Sequence, residues 1–164
     1  MKKFILAVAL SLATAVFALA QGDVAKLSTA TRLAYDYLNQ KDYPNAIDED
    51  NDVQFVVKNR GFYLLNTPKD PTLLRISMPS VYNVDLDDAA QVLASLKATN
   101  MYNRKMKLIK PALSDDGEIF FFADTYVGTA KSVEDVSEYM DCVIDFMFQA
   151  IDKWLEYFKE AYNN

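Results

Sequence analysis

The stretch Val53-Gln54-Phe55-Val56-Val57-Lys58-Asn59-Arg60-Gly61-Phe62-Tyr63-Leu64-Leu65-Asn66 decides the fold. Two runs rich in β-branched and aromatic residues flank a short polar break, which is the pattern of a hairpin. Residues 53–58 and 62–66 read as its arms, and Asn59-Arg60-Gly61 as its turn. A loop over residues 67–71, with two prolines, leads into a third strand over 72–78 that Pro79 should stop. Strands joined this closely pair antiparallel.

Working outward, helices bracket this meander. Upstream, Val24, Leu27, Thr31, Ala34 and Leu38 recur at spacings of three and four, predicting a helix over 23–42 that ends before Pro44. Downstream, Asp85 opens a second helix as its cap, and Leu86, Ala90, Leu93 and Leu96 carry it to residue 102. A fourth strand over 106–112 follows, with Pro111 hinting at an edge or a bulge. Ser114-Asp115-Asp116-Gly117 is a hairpin turn into a fifth strand over 118–127, which runs through Phe120, Phe121 and Phe122. Ser132-Val133-Glu134-Asp135 has the form of a capping box and opens a helix that continues almost to the end of the chain. The expected order is α-β-β-β-α-β-β-α, an α+β domain with a five-stranded antiparallel sheet and helices packed on it.

The last helix has two apolar stripes. One holds Val136, Met140, Val143, Met147, Ala150 and Trp154; the other holds Ile144, Phe148, Ile151, Leu155, Phe158 and Tyr162. One core needs one stripe, so Ile144, Phe148, Ile151, Leu155 and Phe158 form a candidate surface for a partner or a homodimer. The alternative is a monomer in which one stripe packs on the sheet and the other on the first helix.

The N-terminus reads as a secretory signal over residues 1–20. Lys2 and Lys3 give the positive start, Phe4 to Leu19 is apolar except for Ser11 and Thr14, and Ala18-Leu19-Ala20 is a small-x-small cleavage site before Gln21. The apolar run falls short of the ~20 residues of a membrane span, and its alanine-rich end favours cleavage over a retained anchor. No cysteine stands near the cleavage point to take a lipid. The periplasm or the medium is the expected destination, with no stable membrane insertion after cleavage. Removing 20 residues from 164 leaves 144, residues 21–164, the size of one domain.

Composition narrows the chemistry. The leader holds two of the 17 basic residues and none of the 23 acidic ones, leaving 15 against 23, or −8. Such a chain repels phosphate backbones, so nucleic acid is not an expected partner. The densest basic run, Arg104-Lys105-Met106-Lys107, reads as a solvated strand face. The one cysteine, Cys142, has no internal disulfide partner and reads as a small buried core residue. With no histidine in the chain, the commonest general base and the commonest transition-metal ligand are missing, and one cysteine does not make a zinc site. No catalytic, metal or cofactor residues are assigned.

The stretch from Tyr43 to Val127 resembles the YbjN family, whose fold is similar to that of type III secretion chaperones. Ile47-Asp48-Glu49-Asp50-Asn51-Asp52-Val53-Gln54-Phe55 stands where the family shows D-x-D-G-D-I-x-F, with Asn51 in place of the usual Gly. Asn100-Met101-Tyr102-Asn103 precedes strand, acidic turn (Asp115-Asp116-Gly117) and strand in the family's order, and Ser132 and Glu134 open the closing helix. The likeness covers most of the mature chain. It implies a binding or regulatory module and names no catalytic residue. Relatives are often cytosolic, whereas this chain carries an export signal.

Two sites were weighed on the residues. Asp48, Asp50 and Asp52 have the spacing that opens a calcium loop, but Val53 and Asn59 stand where Gly and Glu belong, so a solvated turn is favoured. Asp124 and Asp145 are candidate paired carboxylates that nothing in the sequence brings together. The reading is a non-catalytic protein-binding or chaperone-like module of the bacterial envelope with an unidentified protein partner. Its rival is a periplasmic small-ligand-binding protein or weak carboxylate hydrolase. Mass spectrometry of the protein recovered from cells is expected to show a chain beginning at or within a few residues of Gln21; an intact Met1 in the membrane fraction would make the leader an anchor.

Overall fold

The computed structural model describes residues 22–163. The leader over residues 1–20 lies outside them. Six strands, β1 (Asn45–Ile47), β2 (Val53–Val57), β3 (Arg60–Leu65), β4 (Leu73–Asn83), β5 (Lys110–Leu113) and β6 (Glu118–Tyr126), form one antiparallel sheet in the order β1-β2-β3-β4-β6-β5. Three helices accompany it, α1 (Thr29–Gln40), α2 (Ala89–Lys105) and α3 (Glu134–Tyr162), with a short 3₁₀ turn at Val24–Lys26 before α1. The α+β class and the antiparallel sheet are as expected; the sheet has six strands where five were expected.

The additional strand is β1. Residues 45–47 are too few to show a period, and they pair only because β2 lies beside them, Asn45 against Phe55 and Ile47 against Val53. The β2–β3 hairpin is tighter than expected. Val57 pairs with Arg60, so the turn is Lys58-Asn59 alone, both at positive φ (49° and 63°). That is the primed two-residue turn whose twist matches the strands.

β4 does not stop at Pro79. Its pairing with β3 ends at Ser77, so beyond that residue one edge of β4 is open. The missing proline N–H then costs no ladder bond. A register shift between Met78 and Tyr82, with Ser80 at φ 51°, carries the strand past the proline to Asn83 against Glu118.

The helix starts also moved. Ser28 caps α1 by accepting from Thr31 N–H, and the residues before it form the 3₁₀ turn. Asp88, not Asp85, caps α2, accepting from the amides of Ala90 and Gln91; Asp85 instead accepts from Asp87 N–H in the approach. Only half of the expected capping box at α3 forms. Asp135 accepts from Ser132 N–H and from Lys131 N–H, while no side chain accepts from the first-turn amides.

α2 runs to Lys105, so Arg104 and Lys105 end a helix rather than lining a strand, and β5 begins only at Lys110. Cations suit that negative end of the helix. Lys110 Nζ reaches back to the carbonyls of Met106 at 2.8 Å and Asn103 at 3.3 Å. The turn into β6 needs Gly117, which sits at φ 90°, where a Cβ would come within 2.6 Å of the Val84 carbonyl oxygen.

The core lies on one face of the sheet. Val53, Phe55, Val57, Phe62, Leu64, Leu74, Ile76, Met78, Ile119, Phe121 and Ala123 alternate inward and are buried. All three helices lie over that face. Phe148 of α3 meets Phe62 at 5.8 Å between ring centroids, Tyr102 of α2 stacks on Phe121 at 6.1 Å, and Tyr37 of α1 donates to Asp141 of α3. Trp154 is fully buried, its ring against Tyr82 and Phe158 and its Nε1–H donating to Thr99 Oγ1 at 3.1 Å. Trp154→Ala is expected to lower unfolding free energy by about 3–5 kcal/mol in urea titration, with Trp154→Phe recovering most of the loss.

Candidate functional site

The two stripes of α3 are largely consumed by packing within the chain. Val136, Met140, Val143, Met147, Ala150 and Trp154 are all buried. Of the second stripe, Ile144 and Phe158 are also buried, while Phe148, Ile151 and Leu155 are half-buried against the core and Tyr162 is exposed. The helix rests on the sheet with α1 and α2 also packed against it, so its apolar surface is covered from several sides. Cys142 is exposed rather than buried, since it stands outside the Met140–Val143–Met147 line that faces the sheet.

Two apolar surfaces are left without cover among the described residues. The first is the other face of the sheet. Gln54, Val56, Tyr63, Leu65, Arg75, Ser77, Phe120 and Phe122 alternate with the core residues and are half-buried. Register aligns Gln54, Tyr63, Ser77 and Phe122 in one row across four strands. The contacts of these side chains run within the sheet and its turns. Phe120 and Phe122 rings lie 6.0 Å apart, and Arg75 makes a bidentate pair with Asp124 at 2.9 and 2.7 Å.

The second is the outer side of α2. Leu93 and Leu96, which carry the helix in the sequence reading, point out, and Ala94, Ser95, Ala98 and Tyr102 are buried. The reason is steric. Small residues let α2 lie close to α3, and leucines on that side would hold the helices apart. The i, i+4, i+8 spacing of Ala94, Ala98 and Tyr102 was the signal in the sequence, overshadowed by the larger leucines.

The acidic residues weighed for chemistry are occupied separately. Asp48 Oδ1 accepts from Asp50 and Asp52 amides at 3.1 and 2.9 Å, and its Oδ2 from Gln54. Asp52 Oδ1 accepts from Asn66 N–H at 2.6 Å; burial, with Asp48 and Asp50 nearby, still raises its pKa above the ordinary value. Asn51 adopts φ 67°, a conformation asparagine tolerates. The loop is a backbone-capped turn, and among the described residues no group of three or more acidic, cysteine or histidine side chains could hold a metal ion. Asp124 pairs with Arg75 and Asp145 with Lys58, so the two carboxylates face different cations. No helix among the described residues is long and apolar enough to cross a membrane.

No family model matches the chain, and no curated protein does. Solved structures do. YbjN from E. coli aligns with a TM-score of 0.53 at 9% identity, over 72% of this chain and 85% of that one. A chain of the HopA1–SchA chaperone–effector complex aligns at 0.51 and 14%, over 80% and 99%. An uncharacterized protein from Methanothermobacter thermautotrophicus aligns at 0.51 and 8%, over 79% and 99%. At these identities the likeness is one of fold, and it includes YbjN and a chain of a chaperone–effector complex.

A polar network joining α1 to α3 gives a measurable link. Tyr37 Oη donates to Asp141 Oδ1 at 2.6 Å, and Lys41 Nζ lies 3.2 Å from Oδ2. The Tyr37 bond, then Lys41, holds the Asp141 carboxyl below its ordinary pKa. A depressed carboxylate stabilises the fold above the ordinary carboxylate range and loses that contribution as pH falls through the folded-state value. Tyr37→Phe is expected to cost about 1 kcal/mol at neutral pH, at the low end for a half-exposed charged acceptor. The gap to wild type should narrow in acid; a gap constant with pH would show that the carboxylate is not the partner that matters.

Proposed function

We propose that the chain is an exported, non-catalytic, chaperone-like module that holds a protein partner in the bacterial envelope, and that the open sheet face receives it. The observation that carries this is the one-sided sheet. Three helices cover one face, and the other carries Val56, Tyr63, Leu65, Phe120 and Phe122, each half-buried. A patch of aromatic and branched side chains beside one fixed ion pair suits protein recognition. Further support comes from the likeness in fold to a chain of the HopA1–SchA chaperone–effector complex. The rival hydrolase reading requires a pair of free carboxylates, and Asp124 and Asp145 each have a cation of their own.

The experiment is a comparison of two baits in periplasmic extract, the mature chain and its Phe120→Ser/Phe122→Ser variant, with both shown folded by circular dichroism. The wild type is expected to enrich a protein that the variant loses by tenfold or more, about 1.4 kcal/mol. Equal recovery by both baits would take the sheet face out of the reading; enrichment of nothing by either would count against protein binding itself.

A further inference from the structure

The leader joins the domain at one edge of the open sheet face. Gly22 N–H donates to the Ile47 carbonyl on β1 at 3.1 Å. A Cβ at Gly22 would come within 2.2 Å of Ile47 Cγ2 and 2.3 Å of the Asp48 carbonyl oxygen, so glycine lets the chain lie this close to the edge strand. Asp23 N–H donates to Asn51 Oδ1. Asn66 accepts from Ser28 N–H through Oδ1 and donates to the Lys26 carbonyl through Nδ2. The chain from Gly22 to Ser28 is thereby stitched down, and whatever precedes Gly22 departs from beside the face.

The face and the leader match in length and in order of chemistry. From β1 to β5 the sheet is five strand spacings wide, about 24 Å. Phe4 to Leu19, sixteen residues, also span about 24 Å when wound as a helix. The middle of the face carries Tyr63, Phe120 and Phe122. Its far end, at the turn between β5 and β6, carries Asp115, Asp116 and Glu118, none of them in an ion pair with a described residue. The leader, followed away from Gly22, is apolar and then positive at Lys3 and Lys2. An anionic lipid surface would be repelled by the same carboxylates.

We propose that in the uncut precursor the leader folds back across the open sheet face, with Phe4 to Leu19 on its aromatic and branched side chains and Lys2 and Lys3 at Asp115, Asp116 and Glu118. The contact is autoinhibitory. Until the chain is cut before Gln21, the leader fills the surface meant for a partner, and cleavage uncovers it. This rests on the reading of an exported chain whose open face binds protein.

Cell-free synthesis supplies the whole precursor uncut, and proteinase K digestion followed by intact mass tests the contact. Leader removal from wild type is expected to run several-fold slower than from Phe120→Ser/Phe122→Ser, with all variants shown folded by circular dichroism. Lys2→Glu/Lys3→Glu should also speed removal, and adding Asp115→Lys/Asp116→Lys to that chain should restore the wild-type rate. Removal at one rate in wild type and both variants overturns the proposal. So does protection that disappears on dilution, which would make the occupant a second copy, or a charge exchange that fails to rescue. Partner capture by the mature chain is read separately: capture with an unprotected leader defeats this contact alone, and a protected leader with nothing captured defeats the partner alone.

Discussion

The fold depends on the burial of α3 over most of its length. Its stripe from Val136 to Trp154 is removed from water, and Ile144 and Phe158 of the second stripe go with it. At roughly 25 cal/mol for each Å² of apolar surface buried, a helix of this length, packed against the sheet and both other helices, joins all the layers of the core. Its position also dictates the shape of its neighbours. α2 must be narrow where it meets α3, hence Ala94 and Ala98, and α1 ties on through the hydrogen bond from the Tyr37 hydroxyl to the Asp141 carboxylate.

That concentration of helices on one side has a consequence for the sheet. β2 throughout, and β3, β4 and β6 over residues 62–65, 73–79 and 118–123, alternate between buried and half-buried residues, as strands with a single covered face do. The uncovered parity is not merely polar. It combines Tyr63, Phe120 and Phe122 with Gln54, Ser77 and the Arg75–Asp124 pair, a mixture that stays wet without a partner and still has apolar area to offer one. The edges are less available. Asn103 Nδ2 donates to the Pro111 carbonyl on β5, and Gly22 N–H donates to the Ile47 carbonyl on β1.

Where sequence reading succeeded, the signal was periodic and long. The alternation in 53–57, 73–78 and 118–126 and the stripe on α3 each span enough residues for the period to stand out. Where it failed, the deciding interaction was made by a distant segment. Residues 45–47 are a strand because Val53–Phe55 pairs with them. Pro79 sits inside β4 because β3 has already ended. Cys142 and Leu93 have surroundings that local pattern alone did not assign, one on a helix crowded with apolar residues and the other on a helix apolar on two sides.

The sequence by itself determined the class of the domain, the antiparallel meander, the acidity of the chain and its lack of histidine, because composition and short-range period are properties of the chain alone. It also supplied the two stripes of α3, without saying which would be covered. The tertiary structure decided that. α3 lies beneath its neighbours and spends most of both stripes on them, α2 turns its small residues inward and its leucines out, and the sheet keeps one face bare. The physical reason is that burial belongs to pairs of surfaces: a stripe becomes core or interface only when another element comes to rest against it, and which element does so is settled by fit across the whole fold.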